Sequence, residues 1–126
     1  MSSPEAQALL GQGRTELGAA RTLDQNGFEA QAIVHAYYAC FFPAEAALLA
    51  LGETRSKHAG VISAFGQLVV KAGGFDAVLA PTLRKLFELR NKAVYDAAVV
   101  DAEVASAAID EAERFLVAVE AWLRSH

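Results

Sequence analysis

One short segment in the second half of the chain combines residue types that could bind an anion. Arg90 is followed by Lys92, Tyr95 and Asp96 within seven positions. An arginine fork can hold a phosphate with two parallel hydrogen bonds, so Arg90 is the best anion-binding candidate in the chain. Tyr95 could donate a hydrogen bond or stack on a base, but a phenol with an ordinary pKa of about 10 is poorly matched to a general base. Asp96 could orient Arg90 or cap the next turn.

Two earlier segments carry aromatic and basic groups that could join the same site. Tyr38 belongs to an aromatic-rich run in the second predicted helix, and Lys57 and His58 stand at the start of the third. His35 lies one turn before Tyr38. Because histidine titrates near neutral pH, His35 or His58 could supply an imidazole from another helix. Each of these residues also has a plain structural explanation, as a core, dimer or capping contact.

The sequence shows no motif typical of other common catalytic, metal-binding or phosphate-binding sites. The three histidines show no HExxH or Glu-x-x-His spacing, and the one cysteine, Cys40, can form neither an internal disulfide nor a multi-cysteine zinc site. The sequence contains no Walker loop, no strand–GxGxxG–helix unit and no serine nucleophile elbow. We therefore expect neither a metal nor another cofactor.

The composition predicts one all-α domain over residues 1–126. The chain has the length of a single domain, and 54% of its residues are hydrophobic. Twenty-seven alanines against three prolines favour helices. The N-terminus lacks the basic and apolar regions of a signal peptide, and Glu45 interrupts the apolar run at 33–51, which indicates a buried helix rather than a membrane span. These features predict a cytoplasmic protein.

Charge is distributed unevenly along the sequence. The net charge is −4, yet residues 55–95 carry seven basic and only two acidic side chains. A local excess of positive charge is typical of a surface that binds an anion. Ordinary solvated helix faces produce the same pattern, so charge alone does not decide between the two.

The apolar periodicity predicts five helices. The fourth should place Leu79, Arg90 and Val94 on or near one side. Short connections between long helices predict an up-and-down antiparallel bundle of four to five helices. The predicted helices are, in chain order, one from Pro4 with Ser3 as N-cap to Asn26–Gly27, one from about Phe28 to Leu51, a shorter third with a buried stripe from Val61 to Val69, one from about Ala77 to Val94, and a fifth capped by Asp101.

The segments noted above occur together in one known family. His35–Phe41 resembles the xAYYAxF element of HEPN domains (higher-eukaryote and prokaryote nucleotide-binding), and Lys57–Val61 resembles the K-H-x-G element of one prokaryotic branch. The Arg90–Asp96 segment, with Ala93 and Tyr95 between, resembles the RxxADYD signature of that branch. Ala108–Leu116 fits the final helix of the family. The resemblance spans residues 28–120 and depends on the order and spacing of these elements.

The resemblance implies a dimeric helical bundle with a cleft that handles nucleotides or RNA near the arginine. Many HEPN proteins are metal-independent ribonucleases, often toxins paired with a small nucleotidyltransferase-like antitoxin. In their hallmark, a histidine follows the arginine by roughly four to six residues and acts on the ribose 2′-hydroxyl, while the arginine steadies the phosphate. The present sequence departs from this hallmark, because Tyr95 stands five residues after Arg90 and no histidine follows nearby.

Three further features bear on the site. Residues five apart on a straight helix point about 140° away from each other, so Arg90 and Tyr95 meet only if the helix ends near Val94 or if a dimer joins two copies. His35 stands where relatives commonly carry arginine. Phe42–Pro43 replaces a His–Ala pair that is frequent in relatives. The cleft is therefore expected to be less polar than in active relatives.

We therefore predict a HEPN-like homodimer that binds RNA or a nucleotide and forms one half of a toxin–antitoxin-type pair with a nucleotidyltransferase-like partner. Two alternatives stay open. One is a non-catalytic helical interaction module, and the other is a metal-independent ribonuclease that uses Tyr95 or His58 as its base. The predicted site residues are Arg90 and Tyr95 as catalytic candidates, with Asp96, Tyr38, Lys57, His58, His35 and Lys92 in binding roles.

Overall fold

A computed structural model describes residues 2–126, apart from the side chain of residue 99. It contains five α-helices, and in the described part of the chain there is no β-strand. The prediction of an all-α, up-and-down bundle is confirmed. The elements are α1 (Pro4–Gln25), α2 (Glu29–Ala50), α3 (His58–Ala64), a π-helical segment (Phe65–Lys71) that continues α3, α4 (Thr82–Tyr95), a 3-10 turn (Ala97–Val99) and α5 (Ala102–Leu123).

The start of α1 follows its sequence signals. Ser3 is the N-cap, and its hydroxyl accepts a hydrogen bond from the backbone N–H of Ala6 at 3.1 Å, while Pro4 occupies the first helical position. After the helix, Gly27 adopts φ +82°. That left-handed conformation favours glycine, and it turns the chain directly into α2.

The central element is α2, which contacts α1, α3, the π-helical segment, α4 and α5. By length and hydropathy this helix could cross a membrane, but 67% of its most apolar 18-residue window is buried inside the bundle. Pro43 lies within the helix and packs against α1 at Gly13. A Cβ atom at Gly13 would stand 2.7 Å from Pro43 Cγ, so this glycine permits the close approach of α1 to α2.

The third and fourth helices differ from their predicted form. The stripe from Val61 to Val69 is largely buried as expected, but the chain changes to π-helical geometry from Phe65 onward, a feature that apolar spacing does not reveal. The fourth helix begins at Thr82 rather than near Ala77. Pro81 disfavours helical geometry in the residue before it, and an Asp76 turn precedes it.

Val94 was expected on or near the same side of the fourth helix as Leu79 and Arg90. Its side chain is 60% exposed, although the preceding residue, Ala93, is buried. Leu83 and Leu86, by contrast, are buried against the bundle.

The last helix closes the bundle. Asp101 is its N-cap and accepts a hydrogen bond from the N–H of Val104 at 2.9 Å, as predicted. Its inner face packs on α2 and α1. Near its end, Trp122 Nε1 donates a hydrogen bond to the carbonyl of Gly73 at 2.8 Å, which ties the loop after the π-helical segment to α5.

Candidate functional site

The candidate site lies where α2, the start of α3 and the second half of α4 meet. The buried faces of α2 and α4 bring Tyr37, Tyr38 and Arg90 together, and the first residue of α3, His58, closes the group. These four residues come from three separate elements, so only the bundle brings them into contact. We call them the Arg90 cluster.

Arg90 is held by aromatic rings and by neutral oxygens. Its guanidinium carbon lies 5.9 Å from the ring centroid of Tyr37 and 5.9 Å from that of Tyr38. Its Nη2 donates to Tyr38 Oη at 3.4 Å, and its Nη1 donates to the side-chain carbonyl of Asn91 at 3.0 Å. Contacts of this kind stabilise a cation only modestly, since cation–π pairs contribute about 0.5–2 kcal/mol.

No carboxylate neutralises Arg90 within the described residues 2–126. Its Nε is buried and has no hydrogen-bond partner, the one such side-chain atom found in the part of the chain that the structure describes. A buried donor without a partner costs about 1–3 kcal/mol. The fold therefore keeps a half-buried cation with donors that are not fully used, an arrangement suited to an added anion.

His58 sits among aromatic rings beside Arg90. Its ring stacks on Phe41 with centroids 4.4 Å apart and planes 19° apart, and it also stacks on Tyr37 and Phe87. Its Nδ1 shares a 2.6 Å hydrogen bond with Tyr37 Oη. Stacking and this bond fix the ring, while Nε2 has no partner in the described residues and is not among the buried unpaired atoms.

The electrostatics of the cluster keep both titratable partners neutral. Burial lowers the pKa of His58 below 6.5, and the nearby Arg90 cation lowers it further. Burial, and secondarily the Tyr38 phenol, raises the pKa of Tyr37 well above its usual value, so that Tyr37 stays protonated. At neutral pH the cluster therefore carries one positive charge, on Arg90.

The Arg90 cluster of one chain does not include Tyr95, Lys92 or Asp96. The helix continues through Tyr95, so the side chain of Tyr95 points away from Arg90 and is 88% exposed. Together with Asn91 these three residues line a shallow depression of about 300 Å³. Asp96 caps the following turn, because its Oδ1 accepts from the N–H of Ala98 at 3.1 Å.

The remaining predicted residues divide between the two sides of the bundle. Lys57 is exposed immediately before α3, next to His58. His35 faces α1, where its Nδ1 lies 2.7 Å from Glu16 Oε1. His35 is therefore on the side of α2 that packs on α1. Tyr38, by contrast, is on the side that faces α4, where it contacts Arg90.

Three contributors were missing from the predicted site, namely Tyr37, Asn91 and Phe87. Phe87 and Arg90 are three residues apart on α4, and Tyr37 and Phe41 are four apart on α2, so each pair shares a helix face. That spacing was a usable signal for Tyr37 and Phe87. Nothing in the sequence indicated that Asn91 would accept from its neighbour. No group of three metal-ligating side chains occurs within residues 2–126.

Comparison with known proteins defines the class. The model of the HEPN domain matches residues 6–122. The chain belongs to the HEPN domain family. It is 36% identical over 120 residues to a protein of Methanocaldococcus jannaschii named "Putative toxin MJ0605", and the match covers 95% of this chain and 90% of that one.

The chain is also similar to a second curated protein and to a solved structure. A UPF0332 protein of Thermotoga maritima is 38% identical over 90 residues, which cover 71% of this chain and 68% of the relative. The crystal structure of TT1696 from Thermus thermophilus superposes with a TM-score of 0.80 over 95% of this chain and 99% of that one, at 22% identity. At this level of sequence identity, the structural similarity shows only that the two proteins share a fold.

Proposed function

We propose that this protein binds RNA through the Arg90 cluster. The observation that carries the proposal is the guanidinium of Arg90, which lies against two tyrosine rings and pairs with no carboxylate among residues 2–126. A phosphodiester supplies the missing charge, and the half-buried Tyr38 ring offers a surface for an unstacked base. Exposed Lys57 and Lys92 add positive charge around the cluster. A free nucleotide presents the same phosphate and base, so it is the competing ligand in the test.

The biological setting that we propose is a toxin-type protein acting in the cytoplasm as a homodimer. The name of the Methanocaldococcus jannaschii relative, with 36% identity over nearly the whole chain, supports a toxin-related role. A nucleotidyltransferase-like protein is the proposed partner, on the basis of the family resemblance. In a dimer, the exposed Tyr95 and Val94 could approach a second copy.

The test is a binding titration of a labelled single-stranded RNA against the protein, its Arg90→Ala variant and a matched arginine control. Arg21 is a suitable control, because it lies on α1 and pairs with Glu113 of α5, away from the cluster. We expect Arg90→Ala to weaken binding at least about tenfold and Arg21→Ala to leave it within about twofold. Raising the salt concentration should weaken wild-type binding steeply.

Four outcomes decide between the ligand classes. Binding of RNA but not of mononucleotides supports the proposal, and preferential binding of a mononucleotide replaces RNA by a nucleotide. RNA binding that is equal in the Arg90→Ala and Arg21→Ala variants contradicts the site. If neither ligand binds, the protein is a helical interaction module, and the proposal is wrong.

A second candidate function, metal-independent RNA cleavage, is favoured by the geometry of His58. The ring is fixed by stacking and by the Tyr37 hydrogen bond, it is neutral at pH 7, and its Nε2 has no partner among the described residues. If the Nδ1–H donates to Tyr37 Oη, the Nε2 lone pair can take the proton of a ribose 2′-hydroxyl. The 2′-oxygen then attacks phosphorus and the 5′-oxygen leaves with a proton from water, while Arg90 faces the phosphate charge.

This candidate predicts a specific product. Incubation of RNA with the protein in a chelator should yield 2′,3′-cyclic phosphate ends, and DNA of the same sequence should remain intact. His58→Gln should abolish cleavage and retain RNA binding within about threefold, because the phosphate contact is through Arg90. If His58→Gln cleaves normally and Tyr95→Phe does not, the base is Tyr95, as in the alternative considered from sequence.

A further inference from the structure

A cavity lined by the third and fourth helices lies outside the Arg90 cluster. It has a volume of about 480 Å³ and opens between the α3–π-helical wall and the first half of α4. Its floor is apolar and includes Ile62, Phe65 and Leu83. A π-helix is rare, and π geometry within a helix often accompanies a functional site. We call this cavity the π-groove.

The shape of the π-groove fits an elongated apolar ligand. One wall includes residues at 62, 66 and 70, spaced four apart along the chain, and the other runs from Pro81 to Glu88 on α4. The eight residues from Pro81 to Glu88 extend over roughly 12 Å, the length of about two turns of a docked helix. An apolar groove of this length between two helical walls is the usual receptor for the apolar face of an amphipathic helix.

The charges at the rim specify the partner further. Lys71 and Arg84 lie at the end of the groove nearest the connection between its two walls, and neither forms an ion pair in the part of the chain that the structure describes. Lys85 also lines the rim, but its Nζ is 2.8 Å from Glu111 of α5 and is already neutralised. Glu88 stands about one turn further along α4 than Arg84. The free rim charge is therefore positive at one end and negative at the other.

We propose that the π-groove docks an amphipathic helix of a protein partner, with acidic residues over Lys71 and Arg84. Apolar side chains of that helix fill the floor, and a basic residue of the helix faces Glu88. Charge complementarity of this kind fixes the direction in which the helix lies. RNA is a poorer occupant, because its backbone offers no apolar face for a floor of this composition. The proposal does not depend on RNA binding at the Arg90 cluster.

A glycine in the lining allows a clean block of the groove. Gly66 lines the cavity, and a Cβ atom built there meets nothing within 4 Å. Gly66→Leu therefore adds an apolar side chain to the lining of the groove, and its Cβ atom meets no neighbour within 4 Å. Gly18 on α1 is a matched control, since it is also helical with open space around its Cβ position. Gly18→Leu controls for the general effect of replacing a glycine in a helix by leucine at a position outside the groove.

The test uses a synthetic labelled peptide with leucines on one helical face, glutamates flanking its first turns and lysine near its other end. Its fluorescence anisotropy is measured with wild-type protein, Gly66→Leu and Gly18→Leu. We expect Gly66→Leu to weaken binding at least about tenfold and Gly18→Leu to leave it within about twofold. The double variant Lys71→Glu with Arg84→Glu should weaken binding similarly and should prefer a peptide in which lysines replace the glutamates.

The outcomes separate this inference from RNA binding. Failure of the peptide to bind, or equal binding to Gly66→Leu and wild type, would overturn the proposal. If the Lys71→Glu, Arg84→Glu variant loses RNA affinity and Gly66→Leu keeps its peptide affinity, the groove serves nucleic acid and the proposal is wrong. RNA binding within about twofold of wild type in both variants, together with peptide loss, supports it.

Discussion

Arginine has opposite surroundings on the two sides of this bundle. On the α1–α5 side, Arg14 pairs with Glu120 and Arg21 pairs with Glu113. On the α2–α4 side, Arg90 contacts two tyrosine rings and a neutral amide, and no carboxylate in residues 2–126 pairs with it. Arginine thus pairs with a carboxylate between α1 and α5, whereas Arg90 has only aromatic and neutral partners among the described residues.

The difference follows from what each helix presents to its neighbour. The face of α5 toward α1 carries glutamates at helical spacing, whereas the face of α2 toward Arg90 carries Tyr37 and Tyr38. An aromatic face attracts the guanidinium without neutralising it. We therefore expect ligand binding at Arg90, where the charge is not balanced, rather than at the paired arginines of α1.

The largest stability effect is expected on the α1 side, at Gly13. A Cβ atom there would stand 2.7 Å and 2.8 Å from the rigid ring of Pro43 and 3.2 Å from Leu116 Cδ1. Gly13→Ala should lower the free energy of unfolding by about 2 kcal/mol, measured by urea denaturation, because α1 must move away from α2. RNA affinity of the folded fraction should stay unchanged.

Gly11 provides the matched control, since a Cβ atom at that position meets nothing within 4 Å. Gly11→Ala should raise the free energy of unfolding by up to about 1 kcal/mol through helix propensity. If Gly11→Ala lowered the free energy of unfolding as much as Gly13→Ala does, the close contact with Pro43 would not be the cause of the Gly13→Ala effect.

Arg90→Met should separate stability from binding. The change removes the unpaired buried Nε and keeps the apolar stem against the tyrosines, so the free energy of unfolding should rise by up to about 1 kcal/mol. RNA binding should fall at least about tenfold in the same variant. Stability that falls by more than about 1 kcal/mol would mean that Arg90 is a structural residue, and the contrast with α1 would fail.

The sequence was sufficient to predict the helices and the candidate site residues, but it did not predict which of those residues contact one another. Ser3 and Asp101 were identifiable as caps, because each capping side chain acts on the backbone within three residues. That Arg90 contacts Tyr38 rather than Tyr95 depends on how α4 packs on α2, a long-range arrangement that no local pattern encodes. The π-helical segment was missed for a different reason, because its apolar spacing matches that of an ordinary helix.

The pH dependence of stability should reflect the neutral His58. Because its pKa in the fold lies below 6.5, the unfolded chain takes up a proton at this residue more readily than the folded chain. The contribution of neutral His58 to the free energy of unfolding is fully present above about pH 6.5, and it is lost as the pH falls below that value. Urea denaturation of wild type and His58→Gln at about pH 7.5 and 5.5 should show a smaller loss in the variant. Equal losses in the two proteins would place the titrating group elsewhere.

The smallest effect is expected at the paired arginines of α1. The side chains of Arg21 and Glu113 are 39% and 51% exposed, so water screens their attraction. Arg21→Ala should lower the free energy of unfolding by about 0.5 kcal/mol or less, and the coupling to Glu113 in a double-mutant cycle should be of that size. RNA affinity should not change, because this pair lies across the bundle from the cluster. A loss of RNA binding comparable to that of Arg90→Met would show that both arginines belong to one extended anion-binding surface, and the distinction between the two sides of the bundle would then have to be abandoned.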